Sequence, residues 1–226
     1  GLQTIEALPE NTTAEIAAKE TAYRAFLQQA QTGRLAQAAD LLLGAYLLPK
    51  ASGAQDSVPT TATIYLTLQE PALPADQQGA LVAAQAACRQ ARVLHWPLAF
   101  PQVFASGGFD CVLGNPPWEV TQMGEEEFFA TRAPYIAALT GEKRKRAIAA
   151  LPLDDPRLWT IYVAESQRIA AANNFFRESG RYPLTAVGKL NTYPLFAETI
   201  SQLTHARGRA GFIVPAGIAT DDSTKG

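Results

Sequence analysis

Apolar side chains recur at helical spacing through much of the first hundred residues. Ile16, Tyr23 and Leu27, for example, fall on one helix face. The polar run 51–60 predicts a loop, and the alternating apolar and polar positions of residues 62–68 predict a short strand. This spacing predicts helices over residues 13–30 (capped from residues 11–13), 35–48 and 76–93.

The second half of the chain has a different pattern. Residues 109–114 and 210–215 are short apolar runs, which is typical of buried strands in a parallel sheet. Asp155 followed by Pro156 predicts a helix start between them. A further helix is predicted over residues 193–206, with Phe196, Ile200 and Leu203 on its apolar side and Gly208 placed to end it. Strand, helices and strand in this order predict an open α/β sheet.

Composition excludes several classes of protein. The chain has 226 residues, of which 47% are hydrophobic and 18% charged, so disorder and a fibrous fold are excluded. This length suits one or two domains. No apolar stretch is long enough to span a membrane, and the N-terminus does not have a signal-peptide pattern. Because the sequence begins at Gly1 without Met, we expect it to be part of a longer protein.

Charge and cysteine content give little indication of a partner. The net charge is −2, which is not the basic surplus of a typical nucleic-acid-binding domain. Two isolated cysteines, Cys88 and Cys111, predict free thiols in a reducing cytoplasm and no metal site. One basic run predicts either a solvated helix face or phosphate contacts. It consists of Lys143, Arg144, Lys145 and Arg146.

The residues after the first predicted strand indicate a site, because ligands of open α/β sheets bind beyond the carboxyl ends of strands. They are Asn115, Pro116, Pro117 and Trp118. A residue before proline is held extended, and prolines fix their own φ angles and donate no backbone hydrogen bond. The segment therefore forms a stiff rim with one amide side chain, acceptor carbonyls and an aromatic ring. Such a rim suits a flat group that carries an NH2.

This tetrapeptide resembles the catalytic motif of the S-adenosylmethionine-dependent amino-group methyltransferases. Over residues 92–226 the flanking segments are similar to those of the large adenine-specific DNA methyltransferases of the restriction–modification type. The segments that carry the resemblance are His95-Trp96-Pro97-Leu98, Phe100-Pro101-Gln102-Val103-Phe104, Gly107-Gly108-Phe109-Asp110, Ser179-Gly180-Arg181-Tyr182-Pro183-Leu184, Asn191-Thr192-Tyr193, Gly211-Phe212-Ile213-Val214-Pro215 and Gly217-Ile218-Ala219-Thr220-Asp221-Asp222.

The resemblance implies a partial Rossmann-like class I methyltransferase sheet, with a helix-rich segment at residues 1–94 and an incomplete catalytic-motif part at residues 95–226. It implies S-adenosylmethionine as cofactor, double-stranded DNA as partner, no membrane and a cytoplasmic location, and it leaves a fused or associated nuclease open. The Gly-rich turn by which these enzymes hold the cofactor is not found in the sequence. We therefore expect weak cofactor binding and no methylation by this chain alone.

The resemblance also implies roles for individual residues. The Asn115 side-chain oxygen and the Pro116 carbonyl would each accept one N–H of the adenine amine, while Pro117 stiffens the rim. Trp118 would stack on the base after it is flipped from the duplex. Lys189 and Asn191 are further candidates for DNA or substrate contacts, although Asn191 is equally well placed to cap the following helix.

Other interpretations remain open from the residues themselves. Asn115–Trp118 is also compatible with a plain rigid turn, and His95 with a packing or capping role instead of a general base. The Glu125–Glu127 run predicts a solvated helix start, and Trp159 and Tyr162 predict core positions. At the level of function, the same tetrapeptide suits a methyltransferase acting on a protein glutamine amide or an RNA base. A non-catalytic α/β binding module is the third alternative.

Overall fold

The chain is mostly helical and carries a two-stranded parallel sheet within the part that the computed structural model describes. It divides into two compact units, Gly1–Gly114 with Ile200–Phe212 and Asn115–Thr199 with Ile213–Gly226. The α/β class is thus observed, while the predicted division after residue 94 stays a prediction. The structure describes residues 2–50, 58–70 and 72–220.

The elements of the described residues follow one another along the chain in this order: α1 (Leu2–Glu6), α2 (Thr13–Thr32), α3 (Arg34–Leu47), α4 (Thr61–Gln69), α5 (Ala75–Gln90), α6 (Trp96–Ala99), α7 (Pro101–Ala105), β1 (Phe109–Gly114), α8 (Glu125–Ala130), α9 (Pro134–Ala137), α10 (Gly141–Asp154), α11 (Pro156–Glu178), α12 (Thr192–Leu203), β2 (Thr204–Phe212) and α13 (Gly217–Thr220).

The three helices predicted in the first hundred residues are confirmed as α2, α3 and α5, although α5 ends at Gln90 and not at residue 93. The start of α2 shows a local hydrogen-bonding signal that agrees with the predicted helix start. The Thr12 hydroxyl accepts from the Glu15 backbone N–H at 3.2 Å, and the Glu15 carboxylate accepts from the Thr12 N–H at 3.0 Å. This capping box satisfies two of the backbone donors that a helix start leaves without partners. Of the loop predicted over residues 51–60, residues 51–57 lie outside the described part of the chain.

The strand predicted over residues 62–68 is wrong, because these residues form helix α4. The start of α4 has its own capping box between Thr60 and Thr63, and the Thr67 hydroxyl donates to the Thr63 carbonyl at 2.9 Å. Thr63 and Thr67 are buried, 4% and 3% exposed. The capping box starts a helix at Thr61, although the alternating apolar and polar positions predicted a strand.

Helices α3 and α5 pack at very short distance. A Cβ added at Gly44 would lie 2.4 Å from the Ala84 Cβ and 2.9 Å from the Ala84 Cα. Gly44 and Ala84 are both buried. Any larger side chain at either position would force the two helices apart, so small residues set the spacing of this helix pair.

Strands β1 and β2 pair in parallel, with Phe109 opposite Thr204 and Gly114 opposite Phe212. The register shifts between Phe109 and Cys111, which marks a bulge in β2. The predicted helix over 193–206 is wrong in its last turn, since α12 ends at Leu203. Gly208 does not end that helix but lies in β2. A Cβ there would be 2.8 Å from the Phe109 carbonyl oxygen, so this glycine allows the bulged strand to approach β1.

The prediction that both strands are buried is also wrong. Phe109, Val112 and Phe212 are half-buried, whereas most other residues of the two strands are exposed, and Leu113 is 77% exposed. Apolar strand sequences arise in parallel sheets because helices cover both faces. In the described residues only part of this sheet is covered. The second predicted strand covered residues 210–215, but β2 ends at Phe212. The next residue, Ile213, is 63% exposed.

Helices α8 to α11 enclose an apolar core in the second unit. Its fully buried side chains include Phe129, Ile136 and Leu151, and Trp159 and Tyr162 pack against it as predicted. The predicted start of α11 is confirmed, because the Asp155 carboxylate accepts from the Leu158 N–H at 2.9 Å and Pro156 opens the helix. The helix start predicted at Glu125–Glu127 is confirmed as the first turn of α8.

Helix α12 differs from its predicted pattern. Ile200 and Leu203 are buried as expected, but Phe196 is 41% exposed and therefore does not belong to the buried side. Leu195 and Glu198 are buried instead. A buried carboxylate is costly unless hydrogen bonds satisfy it, and Glu198 is satisfied in the way described below.

No helix within residues 2–50, 58–70 and 72–220 is long and apolar enough to cross a membrane. Asp221 and Asp222, which end one of the resembling segments, lie outside the described residues.

We expect the Gly44→Ala variant to lose roughly 1–3 kcal/mol of unfolding free energy, because the added methyl group would overlap Ala84. The matched control is Gly79→Ala in α5, where an added Cβ meets no atom within 4 Å. That control should gain about 0.5–1 kcal/mol from helix propensity. Urea unfolding of both variants checks this, and equal stability changes would contradict the close packing of α3 and α5.

Candidate functional site

The segment Asn115–Trp118 follows β1 directly and belongs to neither a helix nor a strand. Asn115 is exposed, and its side chain makes no hydrogen bond with the described residues. Pro116 is buried, Pro117 is exposed, and Trp118 is 51% exposed. The backbone is therefore anchored at Pro116, while the amide of Asn115 stays available to a ligand.

The Trp118 ring is held by its edge. Its indole Nε1–H donates to the Ile213 carbonyl oxygen at 3.2 Å. Ile213 comes directly after β2, so the hydrogen bond links the segments that follow the two paired strands. The ring stacks on no aromatic side chain of the described residues. Trp118 thus presents a fixed, half-exposed aromatic surface, which is what a stacking platform for a planar ligand requires.

Thr192 fixes the backbone on both sides of Trp118. Its hydroxyl donates to the Pro117 carbonyl at 2.7 Å and accepts from the Glu119 N–H at 2.9 Å. The Thr192 backbone N–H also donates to the Glu119 carbonyl at 2.8 Å. Thr192 is the first residue of α12. It belongs to one of the segments that carry the family resemblance, but it was not predicted to be a site residue. No local sequence pattern reveals this contact, because Thr192 lies more than seventy residues from Trp118.

The contact with Thr192 is part of a short pairing between residues 119–121 and 190–192. Val120 and Asn191 form an antiparallel bridge, and the Thr121 N–H donates to the Leu190 carbonyl at 3.2 Å. The Asn191 side-chain oxygen accepts from the Tyr193 N–H at 3.3 Å, which is the capping role that was one of its two alternatives. A DNA or substrate contact by Asn191 stays a prediction.

Lys189 lies near the end of the loop formed by residues 180–190. The side chains of Glu198 and Arg177 hold this loop in place through hydrogen bonds. The buried Glu198 carboxylate accepts from the Leu184 N–H at 3.3 Å, the Thr185 N–H at 3.1 Å and the Thr185 hydroxyl at 2.6 Å. Arg177 donates to the Gly188 carbonyl at 2.6 Å. Sequence reasoning missed both residues, although an acidic residue among apolar positions of α12 was a usable signal. The anchored loop presents Lys189 to solvent.

The basic run 143–146 lies in the first half of α10, and its members differ in their surroundings. The Arg144 side chain is largely buried, pairs with Glu126 at 3.2 Å and donates to the Ala137 carbonyl at 2.7 Å. Its guanidinium therefore joins α8, α9 and α10. Lys145 pairs with Glu142, whereas Lys143 and Arg146 are exposed and form no ion pair within the described residues. The predicted phosphate contacts of this run stay a prediction.

His95 and the two cysteines belong to the first unit. His95 Nε2 lies 2.8 Å from the carboxylate of Asp40 in α3. The His95 side chain therefore pairs with α3 and does not cap α6, the helix that it precedes. Burial, assisted by the negative charge of Asp40, raises the pKa of the Cys88 thiol to about 12. A thiol with that pKa stays protonated and unreactive near neutral pH. Both cysteines are free thiols, and Cys111 is exposed.

Neither strand leads into a cradle for S-adenosylmethionine. β1 is followed by Asn115 and two prolines, and β2 by Ile213 and Val214, where a cofactor site would need a Gly-rich turn opening a helix. The residues at these two strand ends therefore do not fit the cofactor. In the described residues no group of three or more His, Cys, Asp or Glu side chains is placed to hold a metal ion.

Residues 55–149 match the family model of the Eco57I restriction-modification methylase. The matched segment is less than half of the chain, includes Asn115–Trp118 and extends upstream of the flanking resemblance. This match supports a restriction-modification methyltransferase. No curated protein and no solved structure matches the chain.

We expect Thr192→Val to loosen the backbone around Trp118, because valine keeps the shape but loses both hydroxyl hydrogen bonds. Loss of the acceptor should speed hydrogen exchange of the Glu119 amide roughly 10-fold, which corresponds to the net worth of about one hydrogen bond. Thr192→Ser should restore slow exchange.

The control is Thr160→Val, which removes a hydroxyl hydrogen bond to the Pro156 carbonyl at 2.9 Å elsewhere in the same unit. It should leave Glu119 exchange unchanged. If Thr192→Val has no larger effect on Glu119 than this control, Thr192 does not hold the segment.

Proposed function

We propose that this chain carries the catalytic motif of a DNA methyltransferase that acts in restriction–modification or phage defence. The enzyme would transfer a methyl group from S-adenosylmethionine to the N6 amine of an adenine flipped out of double-stranded DNA. The observation that carries the proposal is that Trp118, three positions after Asn115, is half-exposed and anchored by its edge, while the exposed Asn115 amide makes no hydrogen bond within the described residues. The family match over residues 55–149 supports the restriction–modification context.

Asn115 and Pro116 supply the recognition of the amine. The lone pair of an adenine amine is delocalised into the ring, which makes the nitrogen a poor nucleophile. If the Asn115 side-chain oxygen and the Pro116 carbonyl each accept one N–H, the amine is held in a fixed orientation with its lone pair directed away from the rim. Such positioning lowers the barrier without a strong base on the protein. Because prolines 116 and 117 restrict the backbone, little order has to be gained on binding.

Trp118 supplies the stacking surface for the flipped base. Base–aromatic stacking contributes about 1–3 kcal/mol per base, which offsets part of the cost of unstacking the adenine from the duplex. The hydrogen bond to Ile213 keeps the ring from turning with the ligand. Stacking alone does not discriminate between bases, so the selectivity for adenine is assigned to the two acceptors and not to Trp118.

The two-stranded sheet suits a place within a larger, Rossmann-like methyltransferase sheet. The exposure of Leu113 and of most of β1 and β2 supports this, because parallel strands are stable when helices and further strands cover them. The cofactor would be bound by residues other than those described. Lys143, Lys145 and Arg146 are candidates for contacts to the DNA backbone, and the expected location is the cytoplasm.

In the full-length protein, Asn115→Ala should lower the rate of adenine methylation by roughly 100-fold or more, the usual effect of removing one polar group that acts on the reacting atoms. Binding of S-adenosylmethionine, measured by calorimetry, should be unchanged. The matched control is Asn174→Ala, an exposed residue of α11 whose side chain makes no hydrogen bond within the described residues.

Methyl transfer to DNA is measured by incorporation of a labelled methyl group. Full activity of Asn115→Ala would contradict the proposed mechanism. Labelling of a protein glutamine or of RNA instead of DNA would keep the role of Asn115 but overturn the proposed substrate.

A further inference from the structure

A cleft of about 650 Å³ lies in the first unit, and none of its described lining residues belongs to Asn115–Trp118 or to the segments that hold it. It is formed by α2, α3, α5, α6 and the residues just before α6. Its volume is typical of small-molecule sites, which range from about 300 to 1,000 Å³. The apolar part of its lining consists of Ala36, Val93, Leu94, Leu98 and Ala99. Leu94 is 52% exposed, so apolar surface is available to a ligand.

The packing of α3 against α5 fixes the polar part of this cleft. Asp40 and Cys88 lie one helical turn from the close contact of Gly44 with Ala84, and the Cys88 thiol donates to the Asp40 carbonyl at 3.6 Å. Arg89 follows Cys88 in α5 and lines the same cleft. A carboxylate of α3 and a guanidinium of α5 are therefore held on two tightly packed helices.

These two opposite charges do not pair with each other within the described residues. Asp40 Oδ1 lies 2.8 Å from His95 Nε2, while Oδ2 has no nitrogen or oxygen donor there. The Asp40 side chain is 20% exposed, so this second oxygen can accept from a ligand. Arg89 is exposed and makes no hydrogen bond or ion pair within the described residues. The cleft thus offers one anionic and one cationic group beside apolar surface.

We propose that this cleft binds a free amino acid with an apolar side chain. Arg89 contacts the carboxylate of the ligand, Asp40 contacts its ammonium group, and the apolar lining contacts its side chain. A guanidinium binds a carboxylate through two parallel hydrogen bonds. A zwitterion satisfies both charged side chains, whereas a simple anion or cation would leave one of them without a partner. A nucleic-acid strand is disfavoured, because its phosphates would be repelled by the Asp40 carboxylate.

The test uses the whole chain at constant pH and three ligands that differ only in their charged groups. They are L-phenylalanine, 3-phenylpropionate, which lacks the ammonium group, and 2-phenylethylamine, which lacks the carboxylate. Binding is followed by the NMR signal of the His95 imidazole. His205, the second of the two histidines of the chain, is the internal reference because it does not line the cleft.

L-phenylalanine should shift the His95 signal with a dissociation constant in the millimolar range that is usual for a ligand of this size. It should bind roughly 5-fold or more tightly than either analogue, because only the amino acid makes both charge-assisted contacts.

Two variants separate the two charges. Arg89→Gln should weaken binding of L-phenylalanine and 3-phenylpropionate roughly 5- to 10-fold and leave that of 2-phenylethylamine unchanged. Asp40→Asn should weaken binding of L-phenylalanine and 2-phenylethylamine and leave that of 3-phenylpropionate unchanged, since the asparagine oxygen still accepts from His95. The control is Arg34→Gln, an exposed cation of α3 that does not line the cleft. It should change binding by less than about 2-fold.

Equal affinities for L-phenylalanine and 3-phenylpropionate would indicate a site for anions and overturn the proposal. Equal effects of Arg89→Gln and Arg34→Gln, equal shifts of His95 and His205, or no saturable shift up to about 30 mM L-phenylalanine would also overturn it. Unchanged circular dichroism and melting temperature show that the variants are folded, and Arg89→Gln suffices for the test if Asp40→Asn unfolds. No residue of the cleft acts in the proposed methyl transfer, so a failure here leaves the proposed function unchanged.

Discussion

The hydroxyl of Thr192 is the contact on which the candidate site depends. Two consecutive prolines cannot donate the backbone hydrogen bonds of a helix or a strand, because proline has no N–H. Thr192 replaces those bonds by donating to the Pro117 carbonyl and accepting from the Glu119 N–H, on either side of Trp118. The start of α12 is in turn capped by Asn191, so the stiffness of the rim follows from where this helix begins.

The sheet brings together the chain segments that build the site. Gly114 pairs with Phe212, so the chain leaves both strands at neighbouring positions, and the Trp118 indole then bonds to the carbonyl of Ile213. Gly208 supports the pairing of the two strands, because only a glycine lets the bulged part of β2 lie against the β1 backbone. A half-exposed aromatic ring and an amide without a partner in the described residues are in this way carried by one short stretch, residues 115–118.

Local signals in the sequence were sufficient for helices α2, α3 and α5, for the start of α11 and for the strand before Asn115. The cap at Asp155 with Pro156, the helical spacing of α2, α3 and α5, and the strand before Asn115 all depend on residues close together in the chain. The strand predicted over 62–68 failed for a local reason, because the capping box of Thr60 and Thr63 starts a helix there. Other failures involve distant partners. Gly208 was assigned to a helix end because its contact with Phe109 joins residues far apart in the chain. Thr192 and Glu198 were missed because each holds a segment that the sequence does not place beside it.

The most direct test of the central claim, that Asn115 recognises an amino group beside the Trp118 ring, compares two nucleosides that differ only in that group. Adenosine and purine riboside, which lacks the exocyclic amine, are titrated into the chain while the NMR signal of the Trp118 indole N–H is followed. Both ligands should shift this signal, and adenosine should bind several-fold more tightly, by about 1 kcal/mol for hydrogen bonds to the amine. Asn115→Ala should reduce this difference to near zero. Equal affinities for the two nucleosides, or a difference that survives in Asn115→Ala, would contradict the account.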